Sequence, residues 1–350
     1  MLTAIYEYAK IKSGKENNCF KGGNCMKKIF SVILILSMLA LCSCTAEKAT
    51  TFDSKAIDNG YNNYLAGGRM AYKDNNLYVN FISDNSLISD DTESLGIYRF
   101  NNSGVTQVMT DAVKIDAYNF EYPFLYQSDD KIYATATKNG WFAVYNEAED
   151  KFTDSGLDAG FDYFSDDLKV FSGAGRVTVR YKDNPEYTIE ESVYTYYVSG
   201  NKIYIINDDG WLYCNDATKG NAKSTFLNYL TESYVNFIHV CADKVYFNFS
   251  AADYDEYETG LYCYSIAEDK FSLVLKGEVN CLNSYDDTLY IAADKGIYKY
   301  DSDEITEITN RSAKKIYLLD EDWIYAVQDD EGNVYRVSLD GETVEMIDFR

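Results

Sequence analysis

The strongest constraint on this chain's fold is a strand motif that keeps returning along it. An acidic or asparagine turn is followed by an aliphatic residue, an aromatic one and a few more strand-forming residues. The instances are Asn75-Asn76-Leu77-Tyr78, Asp130-Lys131-Ile132-Tyr133, Asn201-Lys202-Ile203-Tyr204, Asp243-Lys244-Val245-Tyr246, Asp287-Thr288-Leu289-Tyr290 and Asp322-Trp323-Ile324-Tyr325, with a weaker one at Asp167-Leu168-Lys169-Val170-Phe171. The key aromatics, at 78, 133, 171, 204, 246, 290 and 325, lie 55, 38, 33, 42, 44 and 35 residues apart. A second strand follows each strong instance, as in Gly96-Ile97-Tyr98-Arg99-Phe100 and Gly296-Ile297-Tyr298-Lys299-Tyr300. Alternation over five or six positions, Tyr/Val/Ile enrichment and Asn-Gly or Asp-Gly steps between runs mark antiparallel strands joined by hairpins.

The last repeat parses whole: strand A at 315–319, B at 323–328, C at 333–338 and D at 343–348. Four antiparallel strands recurring at this period make a β-propeller blade. One blade leaves both sheet faces apolar, so blades must stack in a ring to bury them. The expectation is an all-β propeller over residues 64–350: six clear blades, a degenerate one around 160–195, hence seven, with six to eight as the range. The repeat resembles the YWTD propellers of low-density-lipoprotein receptors. It also resembles a related repeat in surface lipoproteins of clostridia-like bacteria. The resemblance covers residues 66–350 and implies the fold. The full Tyr-Trp-Thr-Asp signature is absent from every blade, so the receptors' ligands do not carry over.

Upstream, Met26-Lys27-Lys28 reads as a basic n-region, and Ile29 to Leu41 is an uncharged run of 13 residues, of signal-peptide length and too short to span a membrane. Leu41-Cys42-Ser43-Cys44 resembles a lipobox. The resemblance implies a signal peptide over 26–43, cleavage before Cys44, a diacylglyceryl group on its sulfur, and localisation at the extracellular face of the cell membrane. Residues 1–25 have no place in such a signal. Lys21-Gly22-Gly23 can be encoded by a ribosome-binding sequence, so these residues are expected to be an upstream leader read as protein. Residues 44–63, polar and without strand periodicity, are expected to be a lipidated tether.

Residues 1–43 hold 6 basic and 2 acidic side chains, which leaves 26 basic against 54 acidic in the remainder. That surface argues against nucleic acid and against direct contact with anionic lipid. The membrane is therefore expected as a partner only through the anchor, and the oligomeric state stays open. Cys214, Cys241, Cys263 and Cys281 could pair in an exported protein; none forms a CxxC, and most lie in apolar runs as buried thiols do.

No catalytic motif is present. His239, the single histidine, lies in an apolar run and is expected to be packed or to face the channel. Multi-histidine zinc sites are thereby excluded, and no cofactor is expected. Two acidic insertions, 84–93 and 253–258, fall between strands B and C and should share one rim. Asp253, Asp255 and Glu258 are weak Ca²⁺ candidates that lack the EF-hand pattern. Trp141 and Trp211 each follow a hairpin glycine at the start of strand C, near that rim, while Trp323 opens a strand B and belongs to the other. Trp141, Trp211, Tyr254 and Tyr257 are the candidate ligand-binding residues, since such rings stack on sugars or anchor peptides. The expected function is binding of an extracellular glycan, peptide or protein through one rim. The alternatives are a polysaccharide hydrolase or lyase, signalled by carboxylates lining a central pocket, and an envelope-assembly scaffold, signalled by a large apolar patch.

Overall fold

A computed structural model describes residues 50–82, 94–109, 124–128, 130–135, 142–156, 161–230, 235–249, 258–328 and 333–347. A short helix, α1 (Gly60–Leu65), precedes the strands. Blade 1 is β1 (Met70–Lys73), β2 (Asn76–Ile82), β3 (Ser94–Asn101) and β4 (Gly104–Met109). Blade 2 is β5 (Phe124–Ser128), β6 (Lys131–Thr135), β7 (Phe142–Asn146) and β8 (Lys151–Asp154). Blade 3 is β9 (Tyr163–Phe164), β10 (Leu168–Gly173), β11 (Arg176–Tyr181) and β12 (Tyr187–Thr188). Blade 4 is β13 (Thr195–Ser199), β14 (Lys202–Ile206), β15 (Trp211–Asp216) and β16 (Thr225–Tyr229). Blade 5 is β17 (Val235–Cys241), β18 (Lys244–Phe249), β19 (Gly260–Ser265) and β20 (Lys270–Lys276). Blade 6 is β21 (Val279–Tyr285), β22 (Thr288–Ala293), β23 (Gly296–Asp301) and β24 (Glu304–Thr309). Blade 7 is β25 (Lys315–Leu318), β26 (Trp323–Val327), β27 (Val334–Ser338) and β28 (Val344–Ile347). Each sheet pairs its four strands in chain order, antiparallel throughout, and the seven form a ring: a seven-bladed β-propeller.

The acidic turns of the repeat have a conformational cause. Asn75, Asp130, Asp243 and Asp286 have φ of 60°, 59°, 56° and 51° in the turns between strands A and B. Asn and Asp tolerate this left-handed region better than other side chains, and tight hairpins demand it. The aliphatic–aromatic pair after the turn splits between the two faces of strand B. In blade 4, Ile203 packs toward blade 3 and Tyr204 toward blade 5. Both are buried, as in every strand covered on both faces. Tyr78 reaches Tyr145 of blade 2, ring centroids 5.0 Å apart, and Tyr246 reaches Tyr300 of blade 6 at 6.0 Å.

Blade 3 departs from the expected register. Phe171 was aligned with the repeat's aromatic, yet Leu168 and Val170 are the residues that pack toward blade 4. Phe171 points the other way, onto Phe161 at 5.7 Å. Because side chains alternate, a slip of one residue exchanges the faces.

Residues 51–63 correct the expected tether. The compact unit begins at Thr51. Phe52 and Ile57 are buried in the apolar cluster that joins blades 6, 7 and 1. Phe52 N donates to Asn102 Oδ1 in a blade 1 turn at 2.9 Å, Glu321 N donates to Lys55 O at 3.0 Å, and Ile57 N donates to Leu319 O at 3.1 Å. Arg336 Nη1 donates to Thr51 O at 2.9 Å. This strap therefore bridges blades 7 and 1 on the rim that carries the A–B and C–D turns. Helix α1 then carries the chain along the ring axis to the rim of the B–C and D–A connections. Gly60 lies against Gln127 near the end of β5, and Gly68 against Phe124 at its start.

The axis is filled by amides. Asn59 Nδ2 donates to Asn283 Oδ1 at 2.9 Å, Asn63 Nδ2 to Leu318 O at 2.7 Å, and Asn62 Nδ2 to Ser284 O at 3.1 Å. Leu318 N donates to Asn63 Oδ1 at 3.0 Å, and the Tyr197 hydroxyl donates to Asn62 Oδ1. Each asparagine both donates and accepts, which suits a narrow channel walled by innermost strands whose buried polar groups all need partners.

Candidate functional site

Strand C of blade 4 opens on a turn built for rigidity. Asn207 Oδ1 accepts from Asp209 N at 3.1 Å and from Trp211 N at 2.9 Å, and Gly210 takes φ 76° to close the turn. Such an Asx turn fixes the backbone that presents the next side chain. Trp211 is 44% exposed there. Its strand partner across the sheet is Tyr229, and Tyr213 lies opposite Phe226. Trp211 meets Phe226 edge-on at 5.5 Å and lies parallel to Tyr213 at 6.5 Å.

These four aromatics share the face that looks toward blade 3. Tyr213 packs into the cluster between blades 3 and 4, whereas Leu212 and Leu227 belong to the cluster between blades 4 and 5. Blade 3 ends in β12, only two residues long. It therefore stops short of the outer part of blade 4 and leaves rings uncovered that a full blade would bury. Phe226 is 51% exposed and Tyr229 40%.

Tyr194 adds a fourth exposed ring, at 47%. Its N–H donates to Ile206 O at 3.0 Å; Ile206 pairs with Leu212, and Trp211 with Tyr229. Tyr194, just before strand A, and Trp211 and Tyr229 on strands C and D thus stand near one level at the B–C rim. Carboxylates flank the row. Asp208 and Asp209 are exposed in the turn before Trp211. Glu191 accepts from Ser224 Oγ at 2.8 Å. The Tyr213 hydroxyl's pKa is pushed up by burial, then by the charges of Glu191 and Asp209.

Of the sequence candidates, Trp211 belongs to this row. Trp141, Tyr254, Tyr257, Asp253 and Asp255 lie outside the described residues, as do Cys44 and residues 1–43. Glu258 is exposed and ion-paired with Lys276 at 2.7 Å. Among the described residues, no group of His, Cys, Asp and Glu could hold a metal. Trp323 sits at the opposite rim with its ring under the Arg336 guanidinium, 4.0 Å from the centroid. Cys214, Cys241, Cys263 and Cys281 are free thiols. Sequence reasoning missed Tyr194, Phe226 and Tyr229. The usable signal was the weakness of the neighbouring repeat, since a short blade uncovers the next one.

His239 lies on innermost strand β17, 3% exposed, with Nε2 2.9 Å from Ser284 Oγ and its ring 4.7 Å from that of Tyr197. Burial pulls its pKa down to about 3. It is therefore a neutral strut in the wall of the axis. The position where carboxylates would line a central pocket is taken by α1 and its asparagines.

No known sequence family matches the chain, and no curated protein does. Similar solved structures are propeller-length matches of low identity. The computationally designed Ika8 protein is 12% identical over 77% of this chain and 82% of its own, with a TM-score of 0.46. Kluyveromyces lactis Hsv2 is 12% identical over 76% of this chain and 98% of its own, at 0.45. The extracellular domain of BT4673 from B. thetaiotaomicron is 14% identical over 87% of this chain and 40% of its own, at 0.43. None of these likenesses bears on function.

Proposed function

We propose that this protein is a lipoprotein, held at the extracellular face of a membrane by acyl chains on Cys44, whose propeller is a non-enzymatic binding module working through the B–C rim of blade 4. The carrying observation is the row of Tyr194, Trp211, Phe226 and Tyr229, each at least 40% exposed on a sheet that buries its other face. Large aromatic rings on a preformed surface are characteristic recognition residues, because they offer wide contact area at little cost in side-chain entropy.

The test is a glycan and peptide panel applied to wild type and Trp211→Ala, beside their unfolding transitions. The proposal expects loss of at least one interaction with a cost in stability of no more than about 1 kcal/mol, since a half-exposed ring loses less than a core one. Binding that is unchanged in the variant would defeat it, as would destabilisation by the 3–5 kcal/mol or so typical of a buried tryptophan.

A further inference from the structure

Resting on that reading, we infer that the ligand of the blade 4 row is a neutral or cationic linear glycan, laid radially across the blade from Tyr194 past Trp211 to Tyr229. Strand spacing sets the length of the track. From strand A to strand D is three inter-strand steps, about 14 Å, or roughly three sugar rings. Tyr194 lies two residues before Tyr196, whose hydroxyl reaches Asp162 of blade 3 at 2.6 Å. Strand alternation therefore sets Tyr194 on the same side as Trp211 and Tyr229. The platforms thus recur along one line, as a polymer of repeating rings requires.

Three features favour sugar over peptide. The rings stand on an open sheet surface, whereas a peptide anchor needs a pocket that removes a side chain from water. The polar groups beside the row are acceptors suited to hydroxyls: Asp208 and Asp209 are exposed immediately before Trp211. The surplus of acidic side chains, 54 against 26 in residues 44–350, repels an anionic polymer before it arrives and leaves neutral or aminated chains unopposed.

The test is titration of the purified full-length protein, followed by tryptophan fluorescence and calorimetry. The probes are β-1,4-linked glucose, N-acetylglucosamine and glucosamine oligomers of one to six units, an oligogalacturonide as the anionic control, and a lysine-rich peptide. Affinity for a neutral or aminated oligomer should rise with each unit up to three or four and then level off. Trp211→Ala should weaken it at least tenfold, Tyr194→Ala and Tyr229→Ala each several-fold, and Trp211→Phe should recover part of the loss. The oligogalacturonide should bind at least tenfold more weakly. Affinity independent of length, or an anionic oligomer binding as tightly, overturns the glycan inference. Peptide binding that needs Trp211, with no oligosaccharide bound, overturns it while leaving the row as the working surface. If no probe's binding depends on Trp211, both fall.

Discussion

Gly60→Ala separates a folded plug from a tether, because the two give opposite signs. Gly60 is helical, and its φ lies outside the left-handed region. In a solvated segment, alanine would be favoured by about 1 kcal/mol through helix propensity and the reduced entropy of the unfolded chain. In the channel, a Cβ at this position would lie 1.6 Å from Gln127 O and 2.6 Å from its carbonyl carbon. Those are backbone atoms of innermost strand β5, so no side chain can rotate away. Ordinary contact begins near 3.4 Å, which requires α1 or β5 to move by nearly 2 Å. A displacement of that size breaks the hydrogen bonds of Asn59, Asn62 and Asn63, each contributing about 1 kcal/mol net. The expected cost is about 3–5 kcal/mol, at the upper end for single substitutions. The assay is chemical and thermal unfolding beside Gly173→Ala, where an added Cβ meets nothing within 4 Å. Gly173→Ala should stay within about 0.5 kcal/mol of wild type. A Gly60→Ala protein as stable as wild type, or more so, would refute the packed channel.

Other consequences are independent. His239 has a depressed folded pKa, so stability is fully present above the unfolded value near 6.5 and is lost as pH falls toward about 3. Between pH 7 and 5 the loss should be about 2 kcal/mol, and His239→Gln should flatten that limb; an unchanged slope in the variant would assign it to other groups. Asp320, whose carboxyl burial pushes up, acts in the opposite direction as pH falls toward the carboxylate range. Its carboxylate accepts from Asp322 N, Trp323 N and Tyr325 Oη at 3.0, 2.9 and 2.7 Å. Asp320→Ala leaves those donors stranded and should cost about 3 kcal/mol in urea unfolding, whereas a loss below about 1 would show that water replaces it. Cys44→Ala should move the protein from the membrane to the soluble fraction, since stable anchoring takes two acyl chains; a variant retained through salt and carbonate washes would point to a second anchor.

The fold was legible because the repeat records a two-sided packing problem. Leu77-Tyr78, Ile203-Tyr204 and Ile324-Tyr325 each put one residue on either face of a buried strand, and the turn before the first two is left-handed, at Asp74-Asn75 and at Gly200. In blade 7, the four strands read from sequence match the observed ones to within one residue at each end. Phe171 misled because strand B of blade 3 begins at Leu168, three residues before it, whereas Lys202 begins two before Tyr204 and Trp323 two before Tyr325, so its register is one residue off. The strap and α1 were invisible to periodicity: six residues, GYNNYL, have no amphipathic stripe. Asparagines spaced to meet strand edges look polar in sequence, yet Asn59 and Asn63 are buried. Phe52 and Ile57 were the available warning that a polar stretch would not stay in water. At the candidate site, Trp211 was legible through its hairpin glycine. Tyr194, Phe226 and Tyr229 were not, because their exposure depends on the truncation of the neighbouring blade.

The central functional claim is the location of binding, and amide hydrogen exchange of the full-length protein with and without a saturating bound oligosaccharide tests it most directly. The account predicts slowed exchange in segments 193–196, 207–213 and 225–230, with 57–66 on the ring axis unchanged. Protection confined to the axis, or to the A–B rim around 319–323, would contradict it.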